Sequence, residues 1–172
     1  MRKLPIITIC ADATNYYDRV AHPFASLCAQ YFGLDLSYLV VLFRAIQSMK
    51  MFLRTAYGVS EHYYSGDDDR PFQGVVQGSD AALALWIIIL IFLVRYLYSK
   101  NLTTQLSTPL SGIVIPLVAL IFVDDTDLYV FNSGSDTTEE LVFKAQCLLN
   151  AWHYILRFTG GELNLSKCYW TL

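Results

Sequence analysis

Three carboxylates crowd into positions 124–127 of the stretch ALIFVDDTDLYVF, between one apolar run ending at Val123 and another, Leu128–Phe131. Asp124 and Asp125 are adjacent and repel each other, and apolar walls on both sides add a desolvation cost that a cation or hydrogen-bond donors must offset. Two readings fit. Aspartate is a good turn former, so the pair can be the solvated tip of a hairpin between two β-prone runs. Alternatively, the tip supplies oxygen ligands of the kind Mg²⁺ takes. A further aspartate, Asp12, closes another apolar run, LPIITICA. If the two strands are sheet neighbours, Asp12 and the Asp124/Asp125 pair converge at one edge. Two-metal phosphoryl transfer needs such convergence, with Mg²⁺ ions about 3.5 to 4 Å apart, one activating an attacking hydroxyl and one steadying the leaving oxygen. The carboxylates of Asp12 and Asp124 are therefore expected within about 6 Å, the reach of a shared metal pair.

Holding such groups takes rigid elements. Leu4–Ala11 reads as a buried strand ending at Asp12. Pro23 suits the first turn of a helix with Phe24, Leu27, Cys28 and Tyr31 on one face and Gly33 as its stop. A second helix is expected over Asp35–Ser48, a strand over Lys50–Tyr57, and a turn-rich loop or hairpin over GVSEHYYSGDDDRPFQG. A long apolar helix follows over Ser79–Tyr98, then a Ser/Thr/Pro-rich connector over Thr103–Gly112 and the acidic hairpin, whose first arm is the apolar run Ile113–Val123. The next helix spans Thr137–Phe158, with Leu141, Ala145, Leu148, Leu149 and Trp152 at helical spacing and Gly160 and Gly161 ending it. ELNLSKCYW makes a last strand or a turn into one. This order implies an α+β fold, an antiparallel sheet with helices on one face.

At 172 residues the length suits a single domain with a real core. A hydrophobic content of 55% implies either a membrane protein or a piece of something larger whose other parts cover apolar surface. The longest wholly apolar run, Ala81–Val94, is shorter than the roughly 18 to 20 residues that cross a bilayer, so a buried core helix is expected. MRKLPIITICAD meets an aspartate before any cleavage-like site, so no signal peptide is expected. Cys10, Cys28, Cys147 and Cys168 lack zinc-binding spacing and read as reduced, intracellular thiols. A net charge of −3 is poor for gripping phosphates, a deficit that any nucleic-acid reading must explain. Asp67, Asp68 and Asp69 read as a solvated turn. His22, His62 and His153 share no ligand spacing.

Four motifs, in order, carry a resemblance. ADATNYYDRVAH resembles the first palm motif of reverse transcriptases, QGVVQGSDAALALW the second, FVDD the third, and GGELNLSKCYW the following glycine and lysine motif. Together they cover nearly the whole chain and look closer to non-LTR retroelement polymerases than to retroviral ones. The resemblance implies a polymerase palm acting as an RNA-directed DNA polymerase, with two Mg²⁺ ions that Mn²⁺ can replace. Its partners would be an RNA template, a DNA primer and deoxynucleoside triphosphates, with no membrane. It implies Asp12 and Asp124 as principal metal ligands and Asp125 as the third acid. Tyr17 matches the aromatic that packs under the incoming sugar, Gln77 and Gly78 a nucleotide and template contact, and Lys167 a catalytic lysine near the phosphates.

Two departures stand out. Val123 replaces the usual alanine or methionine before the acid pair, and GSDAALALW lacks a proline after its glycine. The chain is expected to be one palm domain over 1–172, a fragment without complete fingers and thumb. Their absence would account for both the weak positive charge and the surplus of apolar surface. Two alternatives remain: an inactive palm remnant serving as a packing module, and a small membrane-associated protein built around Ala81–Val94.

Overall fold

The computed structural model describes residues 5–14, 16–67, 69–76, 79–108, 110–123 and 125–172. Asp124, Gln77, Gly78 and Asp68, singled out above, lie outside the described residues.

Strand β1 (Ile6–Ala11) alternates along its length, with Ile7, Ile9 and Ala11 buried and Thr8 and Cys10 half-buried. β7 (Asp125–Phe131) repeats the pattern, burying Thr126, Leu128 and Val130. Period-two burial of this kind means one covered face and one open face. β6 (Ala119–Phe122) and β8 (Tyr169–Thr171) complete a four-stranded antiparallel sheet in the order β6-β7-β1-β8.

Helices cover one side of this sheet. α5 (Thr138–Phe158) begins at a capping box: Thr137 Oγ1 accepts from the Glu140 amide at 3.2 Å, and Glu140 Oε2 from the Thr137 amide at 2.8 Å. It buries Leu141, Ala145, Leu148, Trp152 and Leu156. α4 (Asp80–Ser99) starts at Ser79, whose hydroxyl accepts from the Ala82 amide at 3.2 Å. Its inward stripe is Ala82, Leu85, Trp86, Ile89, Leu93 and Leu97, and each large side chain buried there stabilises the fold by about 1.5 to 3 kcal/mol.

α2 (His22–Tyr31) packs on α4, and α3 (Leu36–Gln47), N-capped by Asp35, packs on α2. The hairpins β2 (Lys50–Thr55) with β3 (Gly58–Ser65), and β4 (Thr104–Ser107) with β5 (Val114–Leu117), form separate two-stranded ribbons. α1 (Tyr16–Arg19) is a single turn after β1.

Three expectations change. α2 buries Ala25, Cys28 and Ala29 while Leu27 and Tyr31 are exposed, because small residues let α4 approach closely. Thr103–Gly112 contains a strand, with Leu106 paired to Ile115. The run Ile113–Val123 is split into β5 and β6 at the buried Val118, whose carbonyl accepts from the Tyr129 amide at 3.0 Å. α4 keeps within one residue of its expected span; its 20 residues are long and apolar enough by length and composition to cross a bilayer, although one face packs inside the protein.

His22 ties three of these parts together. Buried and stacked on Phe43 with centroids 4.5 Å apart, it accepts at Nδ1 from Gln47 Nε2 at 3.1 Å, which leaves Nε2–H to donate to the Gly74 carbonyl at 2.5 Å. Burial pushes its pKa below the ordinary 6.5, while the Gly74 carbonyl pulls the other way. Because the unfolded imidazole takes its proton first, this contribution is full above about pH 6.5 and is lost as pH falls below that value. Thermal melts from pH 8 to 5 are expected to show melting temperature falling below about pH 6.5, with a shallower fall in His22→Gln.

Candidate active site

The sheet register builds the site. Ala11 pairs with Thr126 and Cys10 with Asp127, so Asp12 and Asp125 stand one step beyond the last pair, at the same end of β1 and β7. Phe122 pairs with Asp125, Leu120 with Asp127, and Tyr169 with Cys10. The open face is therefore a grid whose central columns carry Asp12 and Cys10 beside Asp125 and Asp127, flanked by Tyr169 on one side and exposed Phe122 and Leu120 on the other. A cleft of about 510 Å³ opens over Cys10, Asp12, Asp125, Asp127, Lys167 and Tyr169.

Lys167 reaches this cleft because the segment after α5 wraps the end of β1. Thr14 N–H donates to the Glu162 carbonyl at 2.8 Å and Asn164 N–H to the Asp12 carbonyl at 2.8 Å, with Ala13 bridged to Leu163. The chain then turns tightly, with Lys167 and Cys168 amides donating to Asn164 O at 2.9 and 3.2 Å, and returns as β8. Lys167 Nζ lies 3.3 Å from Asp12 Oδ2. That oxygen is buried yet makes no hydrogen bond among the described residues. With the lysine side chain 69% exposed, the ion pair is a weak stabiliser.

The carboxylates set the field on the open face. The Tyr169 hydroxyl pulls the Cys10 thiol down, but burial and the Asp127 and Asp125 charges outweigh it and the thiol titrates above its ordinary value. Cys10, burial, Asp127 and Asp125 together raise the Tyr169 phenol, and burial followed by Asp127 raises that of Tyr129. Each shift says that further negative charge is unwelcome there, and the part contributed by Asp127 and Asp125 favours a cation.

Val123 lies in the turn between β6 and β7 with φ +58°. A left-handed conformation at a β-branched residue costs of order 1 to 3 kcal/mol and persists only where surroundings enforce it. Trp86 of α4 does so, its indole N–H donating to the Val123 carbonyl at 2.6 Å. Val76, directly before Gln77, is also left-handed at φ +56°. Both strained valines thus adjoin motif residues.

Asp12, Asp125 and Lys167 come together in the cleft. Tyr17 does not line it: the ring is half-buried against Tyr16 at 4.1 Å and edge-on to Trp86 at 6.4 Å. The expected Asp12–Asp124 approach lies outside the described residues, as do Gln77 and Gly78. Asp67 forms a local turn, its Oδ1 accepting from the Arg70 amide at 2.6 Å, and Asp69 is exposed beside it. Sequence reasoning did not assign Asp127, Cys10, Tyr169 or Trp86 to the site. Strand periodicity from Asp125 would have placed Asp127 on the same face; no comparable signal pointed to Trp86.

Among the described residues, no group of three or more His, Cys, Asp or Glu side chains is disposed to hold a metal. The donors present still fit a hard divalent cation. Asp12 and Asp125 offer carboxylate oxygens at one sheet edge, one of those oxygens is buried without a hydrogen bond, and the local field favours positive charge.

No protein-family model and no curated protein matches the chain. Solved structures do. Apo telomerase of Candida tropicalis, truncated from its C-terminal domain, superposes with TM-score 0.59 at 15% identity over 98% of this chain and 31% of that one. The chain has a distant reverse-transcriptase-like fold. Telomerase of C. tropicalis in complex with a TWJ fragment of telomeric RNA shares this fold at TM-score 0.59 and 14% identity, over 98% of this chain and 26% of that one. The corresponding C. albicans complex gives 0.58 and 14%, over 99% and 28%. The reverse-transcriptase-like fold here thus spans between about a quarter and a third of the length of these telomerase chains.

Proposed function

We propose that the chain is the palm of an RNA-directed DNA polymerase, of the non-LTR type its motifs resemble, with fingers and thumb supplied from outside residues 1–172. The observation that carries this reading is the meeting of Asp12 and Asp125 at one edge of a reverse-transcriptase-like sheet, with Lys167 beside them.

In the proposed reaction a primer 3′-oxygen bonds to the α-phosphorus of a deoxynucleoside triphosphate, the bond to pyrophosphate breaks, and the hydroxyl proton leaves to solvent. Asp12, Asp125 and, by motif, Asp124 would hold two Mg²⁺ ions, or Mn²⁺ in their place, which when bound polarise the hydroxyl and steady the leaving oxygen. Lys167 Nζ, on an exposed side chain, is free to leave Asp12 and to neutralise or protonate the departing pyrophosphate. Tyr17 is the proposed sieve against a 2′-hydroxyl, its ring stiffened by Tyr16 and Trp86. By motif, Gln77 and Gly78 contact nucleotide and template. An RNA partner agrees with the telomeric RNA in two of the telomerase complexes.

A second reading, a catalytically silent palm that packs against another chain, is favoured by one observation: the β2–β3 ribbon is exposed almost throughout, including Leu53 at 69% and Tyr64 at 70%. Primer extension on an RNA template with a DNA primer, in Mg²⁺ and in Mn²⁺, separates the two. Extension by the wild type that Asp124→Asn abolishes is the expected result. Neither extension nor Mn²⁺ binding by paramagnetic resonance would move the assignment to the silent palm.

A further inference from the structure

We infer that Trp86 is a positioning residue that holds the acidic hairpin in register with the aromatic pair Tyr16 and Tyr17; its effect on metal binding rests on the polymerase reading above. The indole is 2% exposed and sits on the inward stripe of α4. Packing alone would be served by phenylalanine or leucine. Tryptophan adds one donor, and that donor is spent on the Val123 carbonyl at 2.6 Å, in the left-handed turn from which β7 and Asp125 start. A donor fixed in the core holds a strained turn in place where a solvent-exposed hydrogen bond would let it relax.

The same ring meets Tyr16 with centroids 4.5 Å apart and Tyr17 at 6.4 Å. The Tyr17 carbonyl in turn accepts from the Val75 amide at 2.8 Å, and the Val75 carbonyl accepts from the Ser79 hydroxyl at 3.1 Å. Ser79 is the N-cap of α4, the helix that carries Trp86. The chain of contacts therefore closes on itself: helix cap, loop before the second motif, tyrosine pair, indole, acidic turn. Moving the turn relative to the tyrosines requires breaking the indole bond or shifting a capped helix. Trp86 acts on the carboxylates through this turn, as an outer-shell group acts on a metal ligand, and such groups typically change affinity about 10- to 100-fold when removed.

Trp86→Phe tests this, because it keeps a ring against Tyr16 and deletes only the donor and part of the volume. Leu93→Val, a trimmed core residue on the same face of α4, controls for general loosening. The expected result for Trp86→Phe is Mn²⁺ binding weakened about 10-fold or more by paramagnetic resonance, with faster amide exchange in residues 119–127. Leu93→Val should leave Mn²⁺ affinity within about twofold and exchange in that hairpin unchanged, since it touches neither turn nor ligand. If Trp86→Phe matches Leu93→Val in either measurement, the inference is overturned. Wild-type protein that binds no Mn²⁺ would count against the polymerase reading, and the exchange rates would then decide on Trp86 alone: faster exchange upholds it, unchanged exchange sinks it.

Discussion

Asp12→Asn is expected to abolish primer extension while leaving stability almost unchanged. The two effects part because the carboxylate contributes little to the fold. Oδ2 is buried without a hydrogen bond among the described residues, and the Lys167 that faces it is largely solvent-exposed, so the ion pair contributes no more than about 1 kcal/mol. Removing the charge also removes part of a desolvation penalty. The proposed reaction has no such compensation. There Asp12 would hold a metal whose contribution to the transition state is several kcal/mol, and each 1.36 kcal/mol is tenfold in rate, so a loss of about a thousandfold or more is expected. Single-turnover extension beside urea denaturation checks both halves. A variant that unfolds would mean that Asp12 is a structural residue after all, and one that still extends primers would remove it from the catalytic set.

Gly160→Ala should produce the opposite pattern, a large loss of stability from a residue with no chemistry. Gly160 sits at φ +90°, and a Cβ there would meet the Arg19 carbonyl oxygen at 2.0 Å and its carbon at 3.2 Å. Both obstacles are backbone, fixed by the Ala21 amide donating to the Thr159 carbonyl at 2.7 Å. Left-handed strain of about 1 to 2 kcal/mol adds to an overpacking cost of about 1 to 3, so a total of about 2 to 5 kcal/mol is expected by urea denaturation. Gly33→Ala is the matched comparison: its φ is +87° but nothing lies within 4 Å of the added Cβ. It should lose only the conformational part, about 1 to 2 kcal/mol. Equal losses in the two variants would show that close approach to Arg19 does not matter. Because the 162–168 segment leaves this junction to reach Asp12, Gly160→Ala should also weaken the placement of Lys167.

The elements most readable in the sequence are those with a local signal at their ends. α5 starts within one residue of expectation because Thr137 and Glu140 form a capping box, and α3 lies just inside its expected span because Asp35 caps it. β1 and β7 were readable from their apolar runs, and so was the meeting of their acidic ends. Features set by distant partners were not readable. α2 turns Ala25 and Ala29 inward, against expectation, because α4 presses on it; composition favours Leu27 and Tyr31. β4 was hidden by serine, threonine and proline, since a ribbon edge tolerates residues that a central strand rejects. Period two along β7 puts Asp127 on the face of Asp125, but its place beside Cys10 is set by register with a distant strand, and Trp86 acts through a bond spanning 37 residues.

The order of the sheet has a kinetic corollary. β1, formed by residues 6–11, finds its neighbours in β7 at 125–131 and β8 at 169–171, so its entire ladder joins segments more than a hundred residues apart along the chain. Pairings of such long sequence separation close slowly, because chain entropy is lost before any contact is gained. During synthesis β1 leaves the ribosome long before either partner exists. Its apolar side, Ile7, Ile9 and Ala11, lacks β7 and β8 beside it and α5 against it until more than a hundred further residues have been made, an interval in which it is open to wrong partners or to chaperones. The carboxylate edge is in this sense a late product of folding.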